Sequence, residues 1–368
     1  MKNLAHLAFK SENTLGRALP VELDKDQKLY FMDPYELDVV KIQQSKAFRR
    51  LSGKTQVISR RHNVNIRDRL IHTMEIASAA VLSAYRLSAN VSLCRAGALG
   101  HDVGHVTLGH LGEDFLAEVS GENFRHEKFA IFVLEMVENL NLSYETLHVI
   151  RYHSRGSGDI ILNGNAIEDD LVMICDKIYI ISDCNDMKRI DRRFDIPSEM
   201  IDLGNNRTER LDAYLQSFWK ESLSKGRISF EDSDNIKKIK AVRDFMFSNV
   251  YHQLDYEECR QNGKKMLTRL YDYFCNYFKS NQGLDSSLSQ RSAILAMALM
   301  SEPDAYFLNE AMARNKAVDF YLENMKFCSL AEFLPRIPKL AQLDFYNPDR
   351  FLDKTNFGKL SKTECFAK

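Results

Sequence analysis

One stretch, LVMICDKIYIIS at residues 171–182, constrains the fold more than any other, because wound as a helix it is apolar on almost every side. A helix of that kind has no face to give to water and needs packed elements all round it. Those elements read as helices too. Apolar residues recur at i, i+3 and i+4 through most windows, and only seven prolines and sixteen glycines punctuate 368 residues. The expectation is an all-α protein. Helices are predicted over 69–89, 91–102, 123–139, 143–153 and 167–184, then over 207–224, 234–251, 255–279 and 288–300. The run VGHVTLGH, 103–110, is broken by Gly104 and Gly109 and reads as a loop or an interrupted helix; 154–166 reads as a loop. Pro197, Gly204 and the Asn205–Asn206 pair mark a break at 195–206, and the chain from Pro335 onward reads as a loosely packed tail.

Composition narrows the class. Hydrophobic residues at 45% and charged residues at 27% suit a globular chain and exclude a disordered or fibrous one. No apolar run approaches the roughly 20 residues of a membrane span, and MKNLAHLAFKSEN lacks the apolar core of a secretory leader. Seven cysteines (94, 175, 184, 259, 275, 328, 365) are odd in number and show no CxxC pair, which fits free thiols. The reading is cytoplasmic. Fifty basic against fifty-one acidic residues leave no global signature of a nucleic-acid binder. Between Lys41 and Arg69, however, nine Lys or Arg face one acid, Asp68. That segment is either a solvated charged face or a polyanion site.

Seven of ten histidines fall between positions 72 and 153: His72, His101, His105, His110, His126, His148 and His153. A lone histidine on an apolar face is ordinarily a satisfied core residue. The His101-Asp102 doublet at a predicted helix end, with His72 one helix earlier and Asp176 on the apolar helix, instead suggests convergence on one divalent ion. Asp176 carries the physical argument. Its helix has almost no other polarity, and an unpaired buried carboxylate costs several kcal/mol, on the order of the usual desolvation penalty. A metal offsets that cost; so would a salt bridge to Lys177 or Arg189. The ligand types leave Mn²⁺, Fe²⁺, Co²⁺ and Zn²⁺ open.

The order His72, His101-Asp102, Asp176 resembles that of the HD phosphohydrolase superfamily, and the words around it are more specific. GRALP at 16–20, SKAFRRLSGKTQV at 45–57, RDRLIHTMEIA at 67–77, HDVGHVTLGHLGE at 101–113, FRHE at 124–127 and RYHSRG at 151–156 look like the dGTP triphosphohydrolase branch. VRDFMFSNVY at 242–251 extends the likeness weakly, so that it spans most of 16–280. The resemblance implies an HD-domain helical fold with additional C-terminal helices: an N-terminal segment 1–40, an HD core 41–195, a C-terminal helical region 196–334 and a tail 335–368. It implies a deoxynucleoside triphosphate as substrate, one divalent metal ion per subunit (Mn²⁺ or Mg²⁺ first), a homo-oligomer, and a regulatory nucleotide or single-stranded DNA as further partners.

Position by position, the resemblance makes His72, His101, Asp102 and Asp176 the metal ligands, with Glu168 supporting the register. His110 and Glu113 become the catalytic pair, in which a carboxylate orients an imidazole and raises its basicity. His105 and His126 join them around the phosphates. Arg69, three residues before His72 on one helical face, becomes the α-phosphate arginine. Arg17, Arg49, Arg50 and Lys54 become candidates for the remaining triphosphate charge, although the AFRRL arginines can equally pair with acids on neighbouring helices. Gln56 becomes a contact to the deoxyribose 3′-hydroxyl.

Two departures stand out. The family's Tyr and Asp lie four and eight residues after the metal-binding Asp. Here those positions hold Ile180 and Cys184, while Tyr179 and Asp183 come one residue early, about 100° round a regular helix. Either a local change of helix register restores Tyr179 and Asp183 to the pocket, or sugar recognition is altered. The PPF element of the loop reads Val106-Thr107-Leu108.

Overall fold

A computed structural model describes residues 3–18, 33–56, 63–155, 166–177, 179–251 and 254–348, with 162 and 352. The described residues form helices and no sheet; pairing is limited to two isolated bridges, Arg17 with Ser143 and Thr55 with Asp68. Among the described residues no helix is long and apolar enough to cross a membrane.

The first half comprises α1 (Pro34–Gln44), α2 (Lys46–Arg50), α3 (Arg69–Leu87), α4 (Val91–Gly100), α5 (His110–Ser120), α6 (His126–Phe132), α7 (Tyr144–Tyr152), α8 (Ile167–Asp176) and α9 (Tyr179–Ile190). Local chemistry sets several ends. The Asp68 carboxylate accepts the Ile71 N–H at the start of α3, and the Asn90 side chain accepts the Leu93 N–H at the start of α4. Ser88 takes a left-handed conformation that stops α3. As its apolar surface requires, α8 packs against α3, α4 and α7, and Leu171 to Cys175 are buried.

The single helix expected over 167–184 is two. Helix α8 ends at Asp176, Lys177 forms a turn whose N–H returns to Met173 O, and α9 begins at Tyr179. No glycine or proline signals this break. Its cause is tertiary: Asp176 is held by His72, whereas Asp183 and Asp186 of α9 are held by Arg67. The regular-helix angle between Asp176 and residues 179–184 therefore does not apply.

The second half adds α10 (Arg207–Lys225), α11 (Asp234–Met246), α12 (Leu254–Asn281), α13 (Ser286–Leu299) and α14 (Glu302–Ala313). Helices α12 and α13 both pack on α5. The expected loose tail is also corrected, through Tyr346. Phe345 is fully buried with its ring 5.7 Å from that of Phe132, and Arg291 donates to the Ala341 and Leu343 carbonyls. Large aromatic side chains on a proline-bearing segment gave it enough apolar area to dock.

Candidate metal centre and catalytic site

Three elements bring the four donors together. His72 lies in the first turn of α3, His101 and Asp102 just beyond the end of α4, and Asp176 at the last position of α8. His72 Nε2 is 3.1 Å from Asp176 Oδ1 and 3.6 Å from Asp102 Oδ2. His101 Nε2 is 3.5 Å from Asp102 Oδ1 and 3.6 Å from Asp176 Oδ1. The salt bridge weighed for Asp176 is absent on the Arg189 side, since Arg189 pairs with Asp186.

The donor set fits a divalent cation. His101 Nδ1 lies 2.7 Å from Ala98 O, which places its proton there and leaves Nε2 as the electron-pair donor. That buried Nε2 has no hydrogen-bond partner among the described residues. Burial opposes charge on His101, yet Asp102 and Asp176 draw its pKa up to about 9. The two carboxylates thus create a strong demand for positive charge at this point, which a metal ion meets. Arg69 Nη1 holds Asp102 Oδ2 at 2.9 Å and fixes the carboxylate from outside the donor set.

A second polar group adjoins the first through Asp102. His105 Nε2 is 3.1 Å from Asp102 Oδ1, and Glu113 Oε1 lies 3.2 Å from His105 Nδ1 and 2.8 Å from His126 Nδ1. Asp102, His105 and His126 are near enough to one another to suggest another metal site. Ring geometry argues against it. The two imidazoles stack at 3.8 Å and 15°, so one ion cannot lie in the plane of both rings, where their lone pairs point. They form instead a stacked pair held on one carboxylate oxygen, Glu113 Oε1. Burial, Arg69 and His126 lower His105 to about 4, whereas Glu113 overcomes burial and raises His126. Burial alone would raise Glu113, but His126, His105 and His110 hold it well below the usual carboxylate range. His110 differs from the others: its side chain is 77% exposed, with Nδ1 3.5 Å from Glu113 Oε2.

Backbone geometry explains this crowding. A Cβ at position 104 would lie 2.1 Å from His126 O, so only glycine lets the His105 loop approach α6 this closely. Gly109, at φ +55°, turns the chain into α5.

The basic segment is largely occupied by the protein itself. Lys41 donates to the Leu140 and Asn141 carbonyls, and Arg67 pairs with Glu75, Asp183 and Asp186. Two residues expected at the triphosphate are engaged by the chain itself. Arg17 is held by Asp38 and by the Asn141 and Pro34 carbonyls, and Arg50 is buried against Glu138 and over the Phe333 ring. Both sit where burial demands a paired charge. Lys54 is fully enclosed, donates to His105 O, and is lowered to about 7 by burial and by Arg50 and Arg69. It tethers the loop rather than presenting a free ammonium. Arg49 is exposed on α2. Gln56 O accepts from Arg69 Nη2, and its buried Oε1 has no partner among the described residues. Asp183 is engaged by Arg67; the Tyr179 side chain, Arg60 and Arg61 lie outside the described residues.

Two of the clustered histidines, His148 and His153, were given no role from sequence. His153 is buried just beyond α7, its ring 5.0 Å from His101 and 5.4 Å from His126, and burial with those two neighbours lowers it to about 3. Its signal was the RYHSRG word, quoted above without a role.

Residues 69–179, which carry all four donors, match the HD domain family. Fold and site together define an HD-domain phosphohydrolase. The chain is 34% identical over 281 residues to a deoxyguanosinetriphosphate triphosphohydrolase-like protein of Caldanaerobacter subterraneus, covering 74% of this chain and 80% of the relative. It is 34% identical over 278 residues to one of Clostridium tetani, covering 72% and 78%. A relative in Clostridium perfringens is 30% identical over 303 residues, covering 79% and 87%. The chain belongs to this deoxyguanosinetriphosphate triphosphohydrolase-like family.

Proposed function

We propose that the protein hydrolyses a deoxynucleoside triphosphate to deoxynucleoside and inorganic triphosphate. The observation that carries this reading is the closed donor set of His72, His101, Asp102 and Asp176 set directly against the Glu113-supported imidazoles. Those four residues would hold a divalent ion, which would supply Lewis-acid polarisation of a phosphoryl oxygen.

The chain's own residues do the rest. Arg69, anchored on Asp102, offers a fixed guanidinium to the α-phosphate. Water attacks the α-phosphorus, the bond from phosphorus to the nucleoside 5′-oxygen breaks, and the triphosphate leaves carrying the water oxygen. Glu113 holds both imidazoles, drawing His126 toward its charged form, while burial with Arg69 and His126 holds His105 toward its neutral form. His110, exposed and tied to the same carboxylate, takes the proton that the attacking water gives up and passes one to the departing 5′-oxygen. Arg49 meets the outer phosphates, and Gln56 the sugar.

The test is product analysis of metal-replete protein with each of the four deoxynucleoside triphosphates, alone and mixed. Deoxynucleoside plus triphosphate supports the reading; monophosphate plus pyrophosphate overturns it. His110→Ala is expected to retain metal and lose turnover, and normal turnover would remove its proposed role.

A further inference from the structure

Two active-site loops are tied together by a residue from the far C-terminal half. Glu302, buried at the start of α14, accepts the Thr55 N–H at 2.7 Å and the Leu108 N–H at 3.2 Å on the same oxygen, Oε1. Its Oε2 accepts the Thr55 hydroxyl at 2.6 Å. Thr55 sits between Lys54 and Gln56 and bridges to Asp68 next to Arg69, whose own N–H donates to Lys54 O. Leu108 lies between His105 and His110, in the left-handed region at φ +63°. A second tether runs alongside, from the Thr107 hydroxyl to Met300 O at 2.8 Å.

We infer that Glu302 is a positioning residue that holds the Lys54–Arg69 loop and the His105–His110 loop in one fixed relation, making the C-terminal helices part of the catalytic unit. The inference rests on the reading of this site as a phosphohydrolase. Its physical basis is that both loops donate to the same buried carboxylate. A carboxylate oxygen shared by two N–H donors from different loops couples their positions, and misplacement by about 1 Å can cost roughly 100-fold in rate.

Glu302 is not needed to start its helix. Ser301 and Asp304 form a complete capping box there, so variants at 302 retain their N-terminal cap. Glu302→Ala should lower kcat by about ten- to a hundred-fold with metal content unchanged. Glu302→Gln should restore kcat to within a few-fold, because an amide oxygen still accepts both N–H groups and its NH₂ donates to the Thr55 hydroxyl. Glu302→Asp, which keeps the charge but shortens the reach, should behave as the alanine variant does. Hydrogen–deuterium exchange gives a readout independent of turnover: in Glu302→Ala, the 54–56 and 106–110 segments should lose protection together while α14 keeps it. Unchanged exchange in either loop, or a glutamine variant as impaired as alanine, overturns the inference. Failure of the wild type to release triphosphate overturns the proposed reaction instead, and leaves the exchange test standing.

Discussion

Asp38 and Asp102 are both buried carboxylates, and their surroundings are opposite. Asp38 is saturated by the chain: Arg17, the Ser143 N–H at 3.1 Å, the Ser143 hydroxyl at 2.6 Å and the Thr146 hydroxyl at 2.7 Å all donate to it. Asp102 receives one guanidinium and is otherwise ringed by His72, His101 and His105 within 3.6 Å, with His101 Nε2 lacking a hydrogen-bond partner among the described residues. A closed shell of donors marks a carboxylate that organises the fold. A shell of imidazoles whose electron pairs converge marks one that holds something the chain does not supply.

Breaking the open shell should have the largest effect on function. His101→Ala or Asp102→Asn is expected to lower metal affinity and turnover by more than the roughly 100-fold commanded by residues that merely support metal ligands, with circular dichroism unchanged. Metal titration and product formation check this, and metal-dependent turnover retained in both variants would remove the assignment. Breaking the closed shell should act on stability. Asp38→Ala leaves the Arg17 charge buried and should cost about 3–5 kcal/mol in denaturant unfolding, while the folded fraction binds metal normally.

The smallest effect sharpens the same contrast. Glu135 lies beside Asp38, accepts the Leu142 N–H, and is pushed up by burial from 4.5 to about 7. The folded state therefore binds this proton more tightly than the unfolded chain, so stability falls as pH rises from about 4.5 toward 7 and then levels. Glu135→Gln should flatten that slope in unfolding midpoints measured between pH 5 and 7. An unaltered slope would mean that Glu135 does not titrate in this window.

Much of the site was legible because its chemistry is local in sequence. His101 and Asp102 are adjacent, Arg69 and His72 share a helical turn, and HDVGHVTLGHLGE carries His105, His110 and Glu113 in one word. The basic segment misled for a complementary reason. A charge count cannot see partners: Glu138 and Asp38, which occupy Arg50 and Arg17, come from outside the Lys41–Arg69 segment, as do Asp183 and Asp186 on Arg67. Glu302 was invisible for the same reason, more than 190 residues from the Leu108 N–H that it accepts.

Sequence alone was enough for the helical class, the buried α8 and the residue types of the metal centre, because periodicity and adjacency are properties of the chain itself. The break at Lys177 was decided in three dimensions, where Asp176 and the Asp183–Asp186 turn answer to different partners. So were the stacking of His105 on His126 and the division of the basic residues between ion pairs and an open surface. Each depends on which groups desolvate one another, and desolvation is settled only when distant helices close around the same point.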